Sequence, residues 1–443
     1  MLLTGGRILD PEQKLDEAAD LLIAGGKIAW VGRGTPPEEP AAILRLDGLT
    51  ISPGFIDLHC HLREPGNEDS ETIASGTRAA ARGGFTTVCC MPNTDPPLDS
   101  PASVEYVQEK ARTEGVVRVL PIGCITRGRR GEGLADMAEL AAAGVVAFSD
   151  DGSPVSDPRL LRHALECSLT LGLPIIEHCE DPALTRDGVM HEGRVSARLG
   201  LRGMPAAAED TMVARDIALA ELSGARLHIA HVSTAGSVEH IRHARERGLS
   251  ITAEVTPHHL TLTEDRVLGP PAYDTSAKVN PPLRTRRDIA ALVRGLRDGT
   301  IDAIATDHAP HAPEDKLCEF AQAAFGIGGL ETALGSLLAL VRSGDITLMT
   351  LISKLTAEPA AIIGARELGT LRAGTPADLA IFDPQAQWLV DPEAFASRGR
   401  NTPLAGCTLT GKVMATIYGG NLAFKDDSLS LEVKKARRAG TRG

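Results

Sequence analysis

Between residues 53 and 366 short apolar runs alternate with longer stretches of helical periodicity, and most of the runs end on a histidine or a carboxylate. The runs fall at 55–61, 86–91, 117–123, 145–150, 174–178, 226–231, 250–255 and 302–307. Helix-like segments lie between them at 75–82, 101–113, 134–143, 158–171, 208–223, 237–247 and 286–298. This is the rhythm of βα units around a parallel sheet, and eight units predict an α/β fold of the (β/α)8 TIM-like barrel type. His59 and His61 end the first run and Asn93 follows the second; Asp150 and Asp151 end the fourth. His178 ends the fifth, His231 the sixth and Asp307 the eighth. Barrel active sites are built at the C-terminal ends of the strands, so these side chains are expected at one mouth. A helix bundle gives no reason for potential ligands to close successive apolar runs.

The two ends of the chain have a different texture. Residues 1–52 carry short β-like runs, 21–24 and 27–31 among them, separated by Gly-Gly and Pro turns. The same texture returns over 367–425, in 377–382 and 412–418. Together the two ends predict one small β-sandwich flanking a 53–366 barrel domain. The tail 426–443, with Lys434, Lys435, Arg437 and Arg438, reads as a disordered, solvated end.

A net charge of -12 and a pI near 5.6 argue against nucleic acid as a partner. No apolar run approaches the roughly 18 residues of a spanning helix, and Asp10 and Glu12 come too early for a signal peptide. The eight cysteines are scattered, without a CxxC pair, which suits a reducing compartment. A cytoplasmic enzyme is the expectation, with a small-molecule substrate, no membrane contact, and homo-oligomerisation left open.

In Asp57-Leu58-His59-Cys60-His61 the two histidines stand at i and i+2, on one face of a strand, with Asp57 pointing the same way. Two imidazoles on one face form half of a transition-metal site, and Asp307 is a hard ligand arriving from elsewhere. His59, His61 and Asp307 would hold one ion, and His178 and His231 a second. A bridge is needed from Asp150 or Asp151, only one of which can face inward. Water shared by such ions loses a proton near neutral pH, which predicts hydrolysis. Asp307 could take that proton and pass it to a leaving nitrogen, as a general base. Arg63 and Asn93 lie just past the same strand ends, and an arginine fork matches a substrate carboxylate. The ordinary alternatives are a surface ion pair of Arg63 with Glu64 and a turn role for Asn93. His163, His191, His228, His240 and His243 sit on helices or off the ligand face and are assigned no role.

The string Pro53-Gly54-Phe55-Ile56-Asp57-Leu58-His59-Cys60-His61-Leu62-Arg63-Glu64-Pro65-Gly66 resembles the signature of dihydroorotases of the amidohydrolase superfamily. So do Met91-Pro92-Asn93-Thr94, Glu177-His178-Cys179-Glu180-Asp181, His231-Val232-Ser233 and Thr306-Asp307-His308-Ala309-Pro310-His311. The resemblance runs from about residue 4 to 424 and takes in Gly374-Thr375-Pro376-Ala377-Asp378-Leu379. It implies reversible conversion of N-carbamoyl-L-aspartate to (S)-dihydroorotate and water, in pyrimidine biosynthesis, on zinc, with two ions per subunit. It implies Asp151 as the bridge, Arg63, Asn93 and His311 around the substrate carboxylate, and His61 as a further substrate-binding residue. It also implies ring contacts from Asn280 and from the backbone at Phe325-Gly326.

Hydantoinases, dihydropyrimidinases and allantoinases resemble this layout but bridge with a carboxylated lysine. No lysine occurs here between Lys110 and Lys278, so an aspartate must serve, the pattern of the class I branch. The alternatives are another cyclic-amide hydrolase and a non-catalytic scaffold for aspartate carbamoyltransferase. The full ligand set argues against the scaffold as sole function, while an active enzyme in complex with that partner stays open. Residues 312–324, polar and irregular, read as a lid.

Overall fold

A computed structural model of the chain describes residues 1–433. Its middle part is α/β. The strand Phe55–Cys60 pairs in parallel with Phe85–Cys90, which pairs in parallel with Arg118–Pro121. Ile175–Glu177 pairs with Leu227–Ile229, that strand with Ile251–Val255, and that one with Ala303–Ile304, again all in parallel. Single parallel bridges join the two groups: Gly123 to Phe148 and Phe148 to Ile175 on one side, Cys60 to His308 on the other. The parallel pairings therefore close into a cycle. Seven of the eight expected runs contain a strand. At 145–150 pairing is thinner, but Val146 and Ser149 still donate to the carbonyls of Pro121 and Gly123 (3.1 and 2.9 Å), and Phe148 donates to Pro174 at 3.1 Å.

The helices between the strands are punctuated by their own residues. Pro158–Leu171 begins with Asp157 accepting from the Arg159 amide and Pro158 at the first helical position, and Gly172 ends it at φ +71°. Arg286–Asp298 starts in a Thr285/Asp288 capping box and ends at Gly299. Strand residues alternate between two apolar clusters, the period of a sheet buried on both faces. Phe55, Val88, Phe148, Ile175, Ile229 and Ile304 pack with helix residues such as Ala79, Val104, Leu161, Val213 and Leu292. Their neighbours Ile56, Cys89, Ala147, Ile176, Ala230 and Ala303 form a separate, smaller cluster.

The ends of the chain build two further sheets, of five and six strands. In the larger one Thr50–Pro53 lies antiparallel to Leu379–Leu389 and parallel to Arg7–Asp10, so both ends share a sheet. One apolar cluster draws on both sheets, with Leu3, Leu21 and Leu44 from one and Ile8, Ile51, Ile381 and Ile417 from the other. Arg118 reaches Asp378 at 2.7 Å and ties this region to the middle of the chain. The disorder expected from residue 426 is corrected at its start: Leu431–Val433 pairs antiparallel with Ala42–Arg45, because Leu431 finds an apolar neighbour in Leu44. The rest of that expectation, from residue 434, lies outside the described residues. Among the described residues no helix is long and apolar enough to cross a membrane.

Candidate active site

Eleven of the twelve residues singled out from the sequence line one cleft of 220 Å³. They are His61, Arg63, Asn93, Asp151, His178, His231, Asn280, Asp307, His311, Phe325 and Gly326. His59, the twelfth, is fully buried directly behind them. Backbone conformation contributes to this convergence. Arg63, His231 and Asp307 have φ of +62°, +31° and +44°, a left-handed region in which side chains other than glycine are strained. Such strain collects at functional sites, where the surrounding fold enforces it.

At the centre stands Asp151. Its carboxylate lies 3.3 Å from His59 Nε2, 3.5 Å from His61 Nε2, 3.5 Å from His178 Nδ1 and 3.5 Å from His231 Nε2. Asp150 turns away and accepts from the amides of Ile125 and Thr126 and from the Thr126 hydroxyl. The geometry thus separates two adjacent aspartates that spacing alone leaves equivalent. Asp307 Oδ1 completes the group, 3.1 Å from His61 Nε2 and 3.6 Å from His59 Nε2. Burial works against ionisation of Asp151 and Asp307, yet the surrounding imidazoles hold both carboxyls below the usual range.

Two overlapping donor sets emerge, His59/His61/Asp151 and Asp151/His178/His231, with ligand atoms within 4.8 Å of one another in each. His59 Nε2 and Asp151 Oδ1 are buried without any hydrogen-bond partner. Orphaned buried polar atoms are costly, and two of them facing each other at the focus of four imidazoles fit a cation. Imidazole and carboxylate donors suit zinc-like ions.

Two acids stand behind the imidazoles, Glu254 fully buried and Glu180 partly so. Glu254 Oε1 meets His59 Nδ1 at 2.8 Å, and its Oε2 meets His228 Nε2 at 3.1 Å. Burial pushes the Glu254 carboxyl up, but bonds from His228 and His59 outweigh it and hold the group at about 2. Glu180 Oε2 lies 3.0 Å from His178 Nε2 and accepts from Asn280 Nδ2 at 2.6 Å. These contacts turn His59 Nε2 and His178 Nδ1 toward Asp151, and they leave Oδ1 as the atom of the Asn280 amide that Glu180 does not hold. Asp57, expected beside the two histidines, instead accepts from the Thr306 amide and hydroxyl (2.8 and 2.5 Å), and burial raises it to about 7. Cys179 lies against Asp216, Sγ to Oδ2 3.4 Å.

Arg63 is not a surface ion pair with Glu64. Its Nε donates to Pro310 O at 3.1 Å and its Nη2 lies 3.4 Å from His311 Nε2, while Glu64 pairs with Lys110 at 3.1 Å. Asn93 Oδ1 lies 2.9 Å from His61 Nδ1, which leaves its amide nitrogen for a ligand. His311 Nε2 reaches Phe325 O at 2.8 Å, and Gly326 N donates to Lys278 O at 2.9 Å. Oxygen acceptors and cleft-facing donors therefore surround a single small volume, an arrangement chemically able to take an anionic molecule beside a cation.

The same fold occurs among hydrolases of cyclic amides. The dihydropyrimidinase of Brevibacillus agri superposes with a TM-score of 0.84 at 24% identity, covering 98% of this chain and 96% of that one. The L-hydantoinase of Arthrobacter aurescens gives 0.86 at 25%, covering 97% of each chain. A family model described as dihydro-orotase-like matches residues 48–237. The dihydroorotase of Pelotomaculum thermopropionicum is 52% identical over 427 residues, 96% of this chain and 99% of that protein. That of Syntrophus aciditrophicus is 50% identical over 429 residues, 96% and 100% of the two proteins. The chain belongs to the dihydroorotase family.

Proposed function

We propose that the chain catalyses the dihydroorotase reaction, the reversible interconversion of N-carbamoyl-L-aspartate with (S)-dihydroorotate and water. The observation that carries this reading is the single cleft in which a buried His/Asp donor cluster meets the Arg63 guanidinium. The cycle of parallel strands is read as a (β/α)8 barrel and the two terminal sheets as a sandwich over 1–52 and 367–425. In support, the pairing closes at Cys60–His308 and the two sheets share one apolar cluster.

His59, His61 and Asp307 would hold one divalent cation, His178 and His231 a second, with Asp151 between them as in the class I branch. Zinc suits these donors, and bound there it supplies Lewis acidity toward a carbonyl and an attacking water. Asp307 acts as the proton carrier. Its Oδ1 is engaged with His61 Nε2, which leaves Oδ2 to take a proton from water and deliver it to the ring nitrogen as the amide C–N bond breaks. In the synthetic direction the same oxygen removes the proton from the attacking carbamoyl nitrogen.

Arg63, the free amide nitrogen of Asn93 and His311 bind the substrate carboxylate, with His61 alongside. Asn280 presents Oδ1 to a ring N–H, because its nitrogen is held by Glu180. At Phe325-Gly326 a ring contact must share groups already bonded to His311 and Lys278. Association with further copies of the chain or with aspartate carbamoyltransferase, and a cytoplasmic setting, belong to the same reading; co-purification tests the partner.

The direct test is turnover of zinc-loaded protein with dihydroorotate and carbamoyl-aspartate, with dihydrouracil and allantoin as controls. Activity confined to the first pair is expected. Turnover of a control instead would transfer the site to another cyclic amide. Silence on all four with metal bound would favour the scaffold.

A further inference from the structure

Two lysines lie buried beside the cleft without a carboxylate partner among the described residues. Lys316 is 7% exposed and ends the short helix Pro313–Lys316. Its Nζ donates to three backbone carbonyls: Thr275 at 3.1 Å, Lys278 at 3.3 Å and Ala324 at 2.6 Å. An ammonium has three donors and no acceptor, so this cage matches it atom for atom. Lys278 Nζ donates to Ala321 O at 2.9 Å and stands 4.4 Å from the centre of the Phe325 ring. The Lys278 carbonyl also accepts from Gly326 N at 2.9 Å.

These contacts join two segments, 275–280 and 312–326, that approach nowhere in sequence. Both supply the cleft wall, through Val279 and Asn280 from one and Phe325 and Gly326 from the other. We propose that Lys316 is a positioning residue that clasps the 312–326 segment onto 275–280 and so sets the shape of the substrate-binding wall. Resting as it does on the dihydroorotase reading, the clasp makes Lys316 a determinant of substrate affinity without contact to the reacting atoms. The segment 312–324, read from its polar and irregular sequence as a lid, is thus pinned from inside by one of its own side chains. Removing the ammonium takes one donor from each carbonyl. Lys278 O keeps Gly326 N and Thr275 O keeps Lys278 N, while Ala324 O loses its link to the other segment, and the wall loosens while the His/Asp cluster keeps its own contacts.

The experiment compares zinc-loaded wild-type protein with Lys316→Met. The variant is expected to raise KM for dihydroorotate about tenfold, roughly the worth of one of the three charge-assisted hydrogen bonds removed. Its kcat should stay within about twofold and its zinc content should not change. Amide hydrogen exchange should accelerate over 275–280 and 312–326 and nowhere else. A folded variant with unchanged KM and unchanged exchange in both segments overturns the proposal; so does a loss of kcat and zinc content at constant KM. If the variant does not fold, the wild type decides: bound dihydroorotate must slow exchange in both segments together, and protection of one alone overturns the clasp. Absence of wild-type turnover on dihydroorotate would count against the functional reading instead, and the exchange comparison of the two folded proteins still judges the clasp.

Discussion

His59 and Glu254 meet at 2.8 Å through Nδ1 and Oε1, 195 positions apart and both fully buried. The contact fixes which nitrogen His59 turns toward Asp151, and a carboxylate behind an imidazole raises its basicity as a ligand. Glu254→Ala should weaken zinc binding about 10–100-fold. Competition against a chelator reads that loss directly; unchanged affinity would reduce Glu254 to a partner of His228.

Asp307→Asn keeps the shape of the side chain and removes the proton acceptor. Turnover should fall about 10²–10⁴-fold in both directions. Metal analysis must accompany the rate, since Asp307 also lies 3.6 Å from His59 Nε2. Near-normal turnover with full metal content would remove it from the proton path.

Arg63→Met retains an apolar stem and loses the fork. If the guanidinium holds the carboxylate equally well in ground and transition states, KM rises about tenfold or more and kcat holds. Affinity for dihydroorotate should fall more than affinity for dihydrouracil, which lacks the carboxylate and is read as a competing inhibitor; equal effects on both would deny Arg63 that role.

Glu331 offers a test of pH-dependent stability away from the chemistry. Burial raises its carboxyl from 4.5 to about 7, against the opposing pull of Arg82 at 3.3 Å, whose side chain is 38% exposed. Between those two values the folded protein keeps a proton that the unfolded chain has released. Stability from this group is therefore complete below 4.5 and declines as pH rises toward 7. Glu331→Gln preserves the Oε1 contacts to the amides of Ala396 and Ser397 (2.9 and 3.1 Å) and cannot ionise. Its Tm should match wild type near the acid end of the window and exceed it above pH 7. A constant difference across the window would contradict the assignment.

The middle of the chain was legible because alternation of apolar runs and helices is a local property, and because run ends mark strand ends. His178, His231 and Asp307 could be picked out on that ground alone. The choice of Asp151 over Asp150 could not, since it depends on the Ile125 and Thr126 amides taking one carboxylate out of contention. His228 was set aside as lying off the ligand face, yet it holds Glu254 from the other side at 3.1 Å. A glutamate inside the apolar run 251–255 was the overlooked signal, because a buried charge demands a partner and only imidazoles were near enough to supply one. Glu180 and Lys316 were beyond reach for a different reason. Their partners, Asn280 for one and Thr275 and Lys278 for the other, become neighbours only after the sheet has closed.

The sheet shared by the two ends of the chain has a consequence during synthesis. Ser52 and Ala380 meet there, 328 positions apart. On the ribosome the strand Thr50–Pro53 can find Arg7–Asp10 early, while its other edge stays bare until Leu379–Leu389 emerges. For most of translation the nascent chain carries an unpaired β edge of the kind that recruits other chains. The catalytic middle must mature beside that exposed edge, and the strand that seals it leaves the ribosome only after that middle has been made.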